Sequence, residues 1–306
     1  MQRRYVTVDV FTDRIFGGNP LAVVLDAERL STAQMQAIAR EFNYSETTFV
    51  LPPRNPAHDA EVRIFTPVVE LPFAGHPNVG TAFVLAARAA SPPTTLLFEE
   101  GAGLVPVAIQ TEAGCVVGAE LTAPAPFKAL STISPEQVAA CLSLQPTDIR
   151  TDRHLPQVIS VGIPVLVAEL TSREALAKAR PDATAFARTL PLDGTTELYF
   201  YTREVPASEA PCEVQARMFF PGASGLIEDP ATGAATVDAA ALFAALDPVA
   251  DGELTTCFGQ GFDMGRPSIL RARVVKQGGQ IKSVHVGGMC VMVMEGTFVL
   301  AGEDSR

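Results

Sequence analysis

The sequence predicts an α+β fold built from two similar domains, each a sheet curled around one buried helix. The strongest indication is a weak internal repeat. Arg63-Ile-Phe-Thr-Pro67 followed by His76-Pro77-Asn-Val-Gly80-Thr-Ala82 is echoed by Arg217-Met-Phe-Phe-Pro221 followed by Asp229-Pro230-Ala-Thr-Gly233-Ala-Ala235. These pairs are offset by 154 and 153 residues, half of the 306-residue chain. Gly18-Asn-Pro20-Leu-Ala-Val-Val24 and Gly162-Ile-Pro164-Val-Leu-Val167 echo each other at an offset of 144. Ordered matches near one offset point to duplication. Each half also carries several short strand-like runs, followed by a helical segment that is apolar on nearly every side and so must be buried all round.

In chain order, 6–11 and 21–25 read as strands flanking a Gly-Gly-Asn-Pro turn. Residues 31–42 have apolar positions at Met35, Ile38, Ala39 and Phe42, a helical period with Ser31 as N-cap. Strands follow at 47–51 and 60–65. Pro77 then sits in the first turn of a helix through 79–90, where its missing N–H does no harm. The second half reads alike: strands at 157–161, 165–170, 197–202 and 213–220, then a helix at 232–246 opened by Pro230, with Asp238 as its one charged residue. Strands at 268–275, 281–286 and 291–300 complete the chain, and 124–152 carries the crossing. The expected domains are 1–124 and 125–306, with the last strands free to cross back.

Composition narrows the function. Hydrophobic residues make up 47% and charged residues 19%, enough for full cores. The net charge of −11 repels phosphate backbones and anionic membranes, so neither nucleic acid nor a membrane is an expected partner. Five cysteines at wide spacings, without C-x-x-C, read as buried free thiols, and no apolar leader follows Met1, which makes the cytoplasm the expected compartment. Four scattered histidines form no zinc motif, and no dinucleotide or Walker fingerprint occurs. No metal and no cofactor are expected.

The echoed motifs share a physical logic. Each sets a polar residue, His76 or Asp229, before a proline at a helix start, where free N–H groups and the helix dipole favour an anion. Two such starts facing one another would make a small anion site. Simple helix capping by Asp229 and a plain His-Pro turn remain open as alternatives. Glu46 enters an apolar strand, an environment that suits a carboxyl group to proton transfer. A solvated turn glutamate is the competing reading.

Gly18-Asn-Pro-Leu-Ala-Val23, Asn43-Tyr-Ser-Glu-Thr-Thr-Phe49, Phe65-Thr-Pro67, Pro72-Phe-Ala-Gly-His-Pro77 and Glu228-Asp-Pro-Ala-Thr-Gly233 closely resemble the PhzF-like phenazine-biosynthesis family of isomerases. Gly265-Arg-Pro-Ser268 and Val286-Gly-Gly288 resemble its later landmarks. The resemblance implies a diaminopimelate epimerase-like fold of two pseudo-symmetric domains, each a β-barrel-like sheet around a central helix. It implies a homodimer and cofactor-independent isomerisation of trans-2,3-dihydro-3-hydroxyanthranilate. It places Glu46 as the general acid/base and His76 and Asp229 as its polar partners, all three catalytic. Substrate contacts fall at Asn19, Ser45, Gly75, Gly233 and Ala234. The family's well-studied isomerases carry serine where this chain has Ala234, so a hydroxyl contact is missing. Two functions therefore stand side by side: an isomerase of a small carboxylate-bearing unsaturated or cyclic metabolite, or a catalytically silent small-anion binding or interaction protein on the same fold. A two-thiol racemase is disfavoured, because no cysteine lies at either helix start.

Overall fold

A computed structural model describes residues 2–209, 211–222 and 225–300. The chain divides into two compact units: one runs to Leu121 and resumes at Gly287, the other spans Thr122–Val286.

The first unit contains β1 (Gln2–Val10), β2 (Asn19–Val24), α1 (Thr32–Phe42), β3 (Glu46–Leu51), β4 (Ala60–Phe65), β5 (Glu70–Leu71), α2 (Gly75–Arg88), β6 (Thr95–Glu100), β7 (Gly103–Glu112) and β8 (Cys115–Thr122). The second contains β9 (Lys128–Thr132), α3 (Pro135–Leu142), β10 (Ile149–Arg150), β11 (Gln157–Ser160), β12 (Val165–Leu170), α4 (Arg173–Lys178), α5 (Ala183–Thr189), β13 (Leu198–Thr202), β14 (Val214–Gly222), β15 (Gly225–Glu228), α6 (Gly233–Leu246), β16 (Gly252–Gln260) and β17 (Ser268–Gln277). The long β18 (Gln280–Val299) starts in the second unit and ends in the first.

In the first unit, β1 through β4 pair in sequence, then β4–β6–β7–β8 continue the ladder. β18 pairs with both β8 and β1, which closes a barrel. The junctions β1–β2, β2–β3, β3–β4, β4–β6 and β6–β7 alternate antiparallel and parallel. The second unit repeats that alternation through β11–β12, β12–β13, β13–β14, β14–β16 and β16–β17. Even the side pairings match, since β5 lies antiparallel to β4 and β15 to β14. The same Arg/Glu bridge recurs as well: Arg63 holds Glu70 with two 2.7 Å bonds, and Arg217 holds Glu228 with two of 2.8 Å. The duplication read from the motifs is thus carried by topology and side chains alike.

Each unit wraps its sheet around one helix. Nearly all of α2 is buried against β1, β2, β3 and β7. Gly80 allows this approach, because a Cβ there would meet Leu21 Cδ2 and Val10 Cγ2 at 2.7 Å. In α6 the buried face runs all round, against β11, β12, β16 and β17. Its interior Asp238 accepts the Val161 N–H at 2.7 Å. Around these centres, α1 is amphipathic and begins with the capping box of Ser31 and Gln34. In the second unit α3, α4 and α5 cover a separate apolar cluster that includes Leu142, Leu176 and Phe186.

Several expectations need correction. Pro77 lies in the first turn of α2 as expected, but that helix begins at Gly75 and so takes His76 into its first turn, while α6 begins at Gly233, one residue after the expected 232, with Thr232 as N-cap. Asp229 therefore lies three residues ahead of the cap position. The expected strands 281–286 and 291–300 form one 20-residue strand. Strands also follow each central helix, as β6–β8 and β16, and the crossing segment folds into β9, α3 and β10. Four cysteines are buried, but Cys115 is exposed.

Candidate active site

In the first unit the site grows from three neighbouring strands and the start of α2. Gly18 turns the chain into β2 at φ 60, in the left-handed region, where a Cβ would strike the Val10 carbonyl oxygen. This turn delivers Asn19, fully buried, opposite Val10. Parallel pairing then sets Glu46, the first residue of β3, opposite Leu21. The preceding helix ends at Asn43 in the left-handed conformation, so Ser45 and Glu46 lead straight into the strand.

His76 joins this group from the first turn of α2. Its Nδ1 lies 3.4 Å from Asn19 Nδ2, and its Nε2 lies 3.4 Å from Glu46 Oε2. With the Asn19 amide as donor, Nδ1 accepts and the ring proton sits on Nε2, which is buried near Glu46 but makes no hydrogen bond among the described residues. Burial pushes His76 down to about 3, so the ring is neutral. The contact is a neutral N–H beside a carboxyl group, not an ion pair. Gly75 lies beside it at the buried helix start, where backbone N–H groups lack intrahelical partners. The structure thus brings Asn19, Glu46, Gly75 and His76 together, and half-buried Ser45 precedes Glu46 in the chain.

The second unit builds its counterpart at the start of α6. Asp229 follows β15, donates its N–H to Met218 O at 3.2 Å, and accepts the Thr232 hydroxyl. Gln260, at the end of β16, clamps this turn: its Nε2 donates to Asp229 O and Thr232 Oγ1, while its Oε1 accepts the Thr232 N–H. The Ser268 hydroxyl donates to Pro230 O at 2.9 Å, so the Gly265-to-Ser268 landmark braces the same turn. Gly233 is buried in the first turn and Ala234 is half-buried. Glu228 does not join Asp229; it is occupied by Arg217, whose Nη1 also holds the Leu176 and Ala179 carbonyls at the end of α4.

Sequence reasoning missed three groups. Strand register makes Glu100 the counterpart of Gln260, because Phe98 opposes Ala60 as Phe258 opposes Val214. Glu100 is buried near Asn78 in α2, and desolvation pushes it up to about 8. At neutral pH it is an uncharged acid where the other unit has an amide. Glu197, one residue before β13, is pushed up to about 7 by burial and by the charge of Asp229. Asp238 is likewise raised, mainly by desolvation. No count along the sequence finds Glu197, because it stands 20 residues before Arg217 whereas Glu46 stands 17 before Arg63. The remaining histidines have structural partners: His58 with Glu99, His154 with Tyr201, and His285 with Thr122 and Ser283. Among the described residues, no group of three or more His, Cys, Asp or Glu could hold a metal ion, and no helix is long and apolar enough to cross a membrane.

The family model of phenazine biosynthesis-like proteins, PhzC-PhzF, matches residues 8–296. The chain belongs to this family. An uncharacterized isomerase of Mesorhizobium japonicum is 40% identical over 96% of this chain and 98% of its own length. The trans-2,3-dihydro-3-hydroxyanthranilate isomerase of Pseudomonas chlororaphis is 36% identical over 97% and 99%. The crystal structure of a PhzF-family phenazine biosynthesis protein from Bacillus anthracis superposes with a TM-score of 0.87 at 25% identity, covering 98% of this chain and all of that one. The PhzF-like architecture here is α+β and diaminopimelate epimerase-like, as the motifs implied.

Proposed function

We propose that the protein is a cofactor-independent isomerase that moves a proton within a small carboxylate-bearing unsaturated or cyclic metabolite. The observation that carries this reading is the Glu46 carboxyl 3.4 Å from a buried, neutral His76. Glu46 is the general acid/base: it takes a proton from one carbon and returns it to another on the same face of the substrate. Neutral His76 supplies a hydrogen-bond donor without putting a competing cation beside the carboxyl group. Asn19 fixes the tautomer of that ring, and Ser45 and the Gly75 backbone contact substrate. In the second unit, Asp229, Gly233 and Ala234 contact substrate at the start of α6, whose amides receive a carboxylate.

Kinship with the Pseudomonas chlororaphis enzyme makes trans-2,3-dihydro-3-hydroxyanthranilate the first substrate to try. Incubation in deuterium oxide tests the chemistry. Wild-type protein should introduce solvent deuterium into this substrate, and E46Q should not. Unchanged exchange in E46Q removes Glu46 from the role. The homodimer belongs to the same proposal, and sedimentation of the purified protein tests it.

Ala234 favours a second reading, a catalytically silent small-anion binder. Calorimetric binding of a carboxylate with no turnover of any cyclic or unsaturated acid would support that reading over the first.

A further inference from the structure

The duplicated register gives Glu46 a counterpart. In the first unit Phe49 opposes Arg63, and in the second Phe200 opposes Arg217, the two arginines of the echoed motif. Three residues before each phenylalanine stand Glu46 and Glu197. Their faces also match. Side chains two apart on a strand share a face, and Thr48 reaches Thr81 of α2 at 2.8 Å while Tyr199 reaches Thr236 of α6 at 3.4 Å. Glu197 is thus placed toward the start of α6 as Glu46 is toward the start of α2. The partners differ in kind. Glu46 meets a neutral imidazole, whereas Glu197 feels the charge of Asp229.

The charged groups that act on Glu197 are Asp229 ahead of α6 and Asp238 on α6. Asp238 is fully buried; one of its oxygens takes the Val161 N–H and the other, Oδ2, has no hydrogen-bond partner among the described residues. Neighbouring carboxyl groups with so little compensation cannot all ionise.

We propose that Glu197 is a positioning residue of the α6 helix start: protonated, it keeps that start receptive to a substrate carboxylate, and by ionising it adds a second negative charge beside Asp229 and repels the substrate. The proposal rests on the reading of the α6 start as an anion-accepting site. Burial and Asp229 together hold the Glu197 carboxyl up to about 7. Its proton is therefore present at pH 6 and lost by pH 8.5. Affinity for an anion should fall across that interval, by roughly tenfold for one added like charge in a partly buried setting.

The test uses the intact protein labelled with carboxyl-13C glutamate, and anthranilate as a non-reacting aromatic carboxylate. Beside the Glu100 signal expected near 8, one glutamate signal should titrate with a midpoint near 7, be missing from E197Q, and move toward the ordinary glutamate value in D229N. Calorimetry should show wild type losing anthranilate affinity roughly tenfold between pH 6 and 8.5, with E197Q holding a constant affinity. A purely packing role for Glu197 would not flatten that profile. Absence of the near-neutral signal, its persistence in E197Q, or an alkaline loss of affinity retained in E197Q would overturn the proposal, as would a wild type that fails to bind anthranilate. If E197Q does not fold, the D229N shift decides, and an unmoved midpoint overturns it. None of these readouts uses turnover, so failure of the isomerase reading in the deuterium experiment is seen separately.

Discussion

Nε2 of His76 stands 3.4 Å from the Glu46 carboxyl, on a ring that burial keeps uncharged. This has a stability consequence. The unfolded chain binds a proton at this histidine below about pH 6.5, while the folded chain does not until about 3. The unfolded state therefore holds more protons throughout that window, and stability falls as the pH falls through it. Between pH 6.5 and 5 this residue should cost about 2 kcal/mol. Urea unfolding of wild type and H76N at the two pH values checks this: H76N should lose less. The ring nitrogen shifts of His76 should also stay constant from pH 8 to 5. A ring that titrates near 6 would make the contact an ion pair and change its role.

Ala234 offers a gain-of-function test. It is half-buried in the first turn of α6, where the resembling isomerases carry serine. A hydroxyl making one hydrogen bond contributes about 0.5–1.5 kcal/mol. A234S should therefore raise kcat/KM for trans-2,3-dihydro-3-hydroxyanthranilate by roughly three- to tenfold. Steady-state kinetics read the ratio directly. A fall with that substrate would mean the pocket is shaped for a different acid.

What the sequence made legible follows from what is local. Both helix starts were readable because Pro, Gly and a polar residue crowd into a few positions. Glu46 and His76 came with them through motif resemblance. Glu197 was not readable in this way: its neighbours Thr195 and Thr196 form no motif, and its place depends on pairing with β14, a long-range fact. β7 was hidden for another reason. It carries Pro106 and alternates exposed with buried positions, and proline weakens a strand assignment. The six- and seven-residue helices α4 and α5 are too short to establish a period. Asp229 could be taken for a cap from composition alone, and only the observed start of α6 moved it away from that position.

The repeated arginine bridge should have unequal value in the two units. Arg217 and Glu228 are 7% and 18% exposed, and Arg217 also holds the Leu176 and Ala179 carbonyls at the end of α4. R217A leaves a poorly solvated carboxylate and two orphaned acceptors, a loss of about 3–5 kcal/mol. The geometry of Arg63 with Glu70 is the same, but these side chains are 23% and 38% exposed. R63A should cost only about 0–1 kcal/mol. Chemical denaturation of the two variants measures the contrast. Equal losses would show that geometry, rather than burial, sets the strength of the bridge.

Glu100 supplies a pH dependence of opposite sign to that of His76. Its folded value near 8 lies above the ordinary 4.5, because desolvation outweighs the help it receives from the Asn78 amide. Between those values the folded state holds the extra proton, so rising pH favours unfolding. The residue is neutral to stability below pH 4.5, and its cost grows as the pH rises toward 8. E100Q keeps the shape, cannot ionise, and copies the amide that Gln260 presents at the corresponding place in the second unit. It should stabilise the protein by about 1–3 kcal/mol at pH 8 and by almost nothing at pH 4.5. Melting curves across this range test the difference, because a gain independent of pH would come from packing, whereas a gain confined to alkaline pH comes from the buried acid.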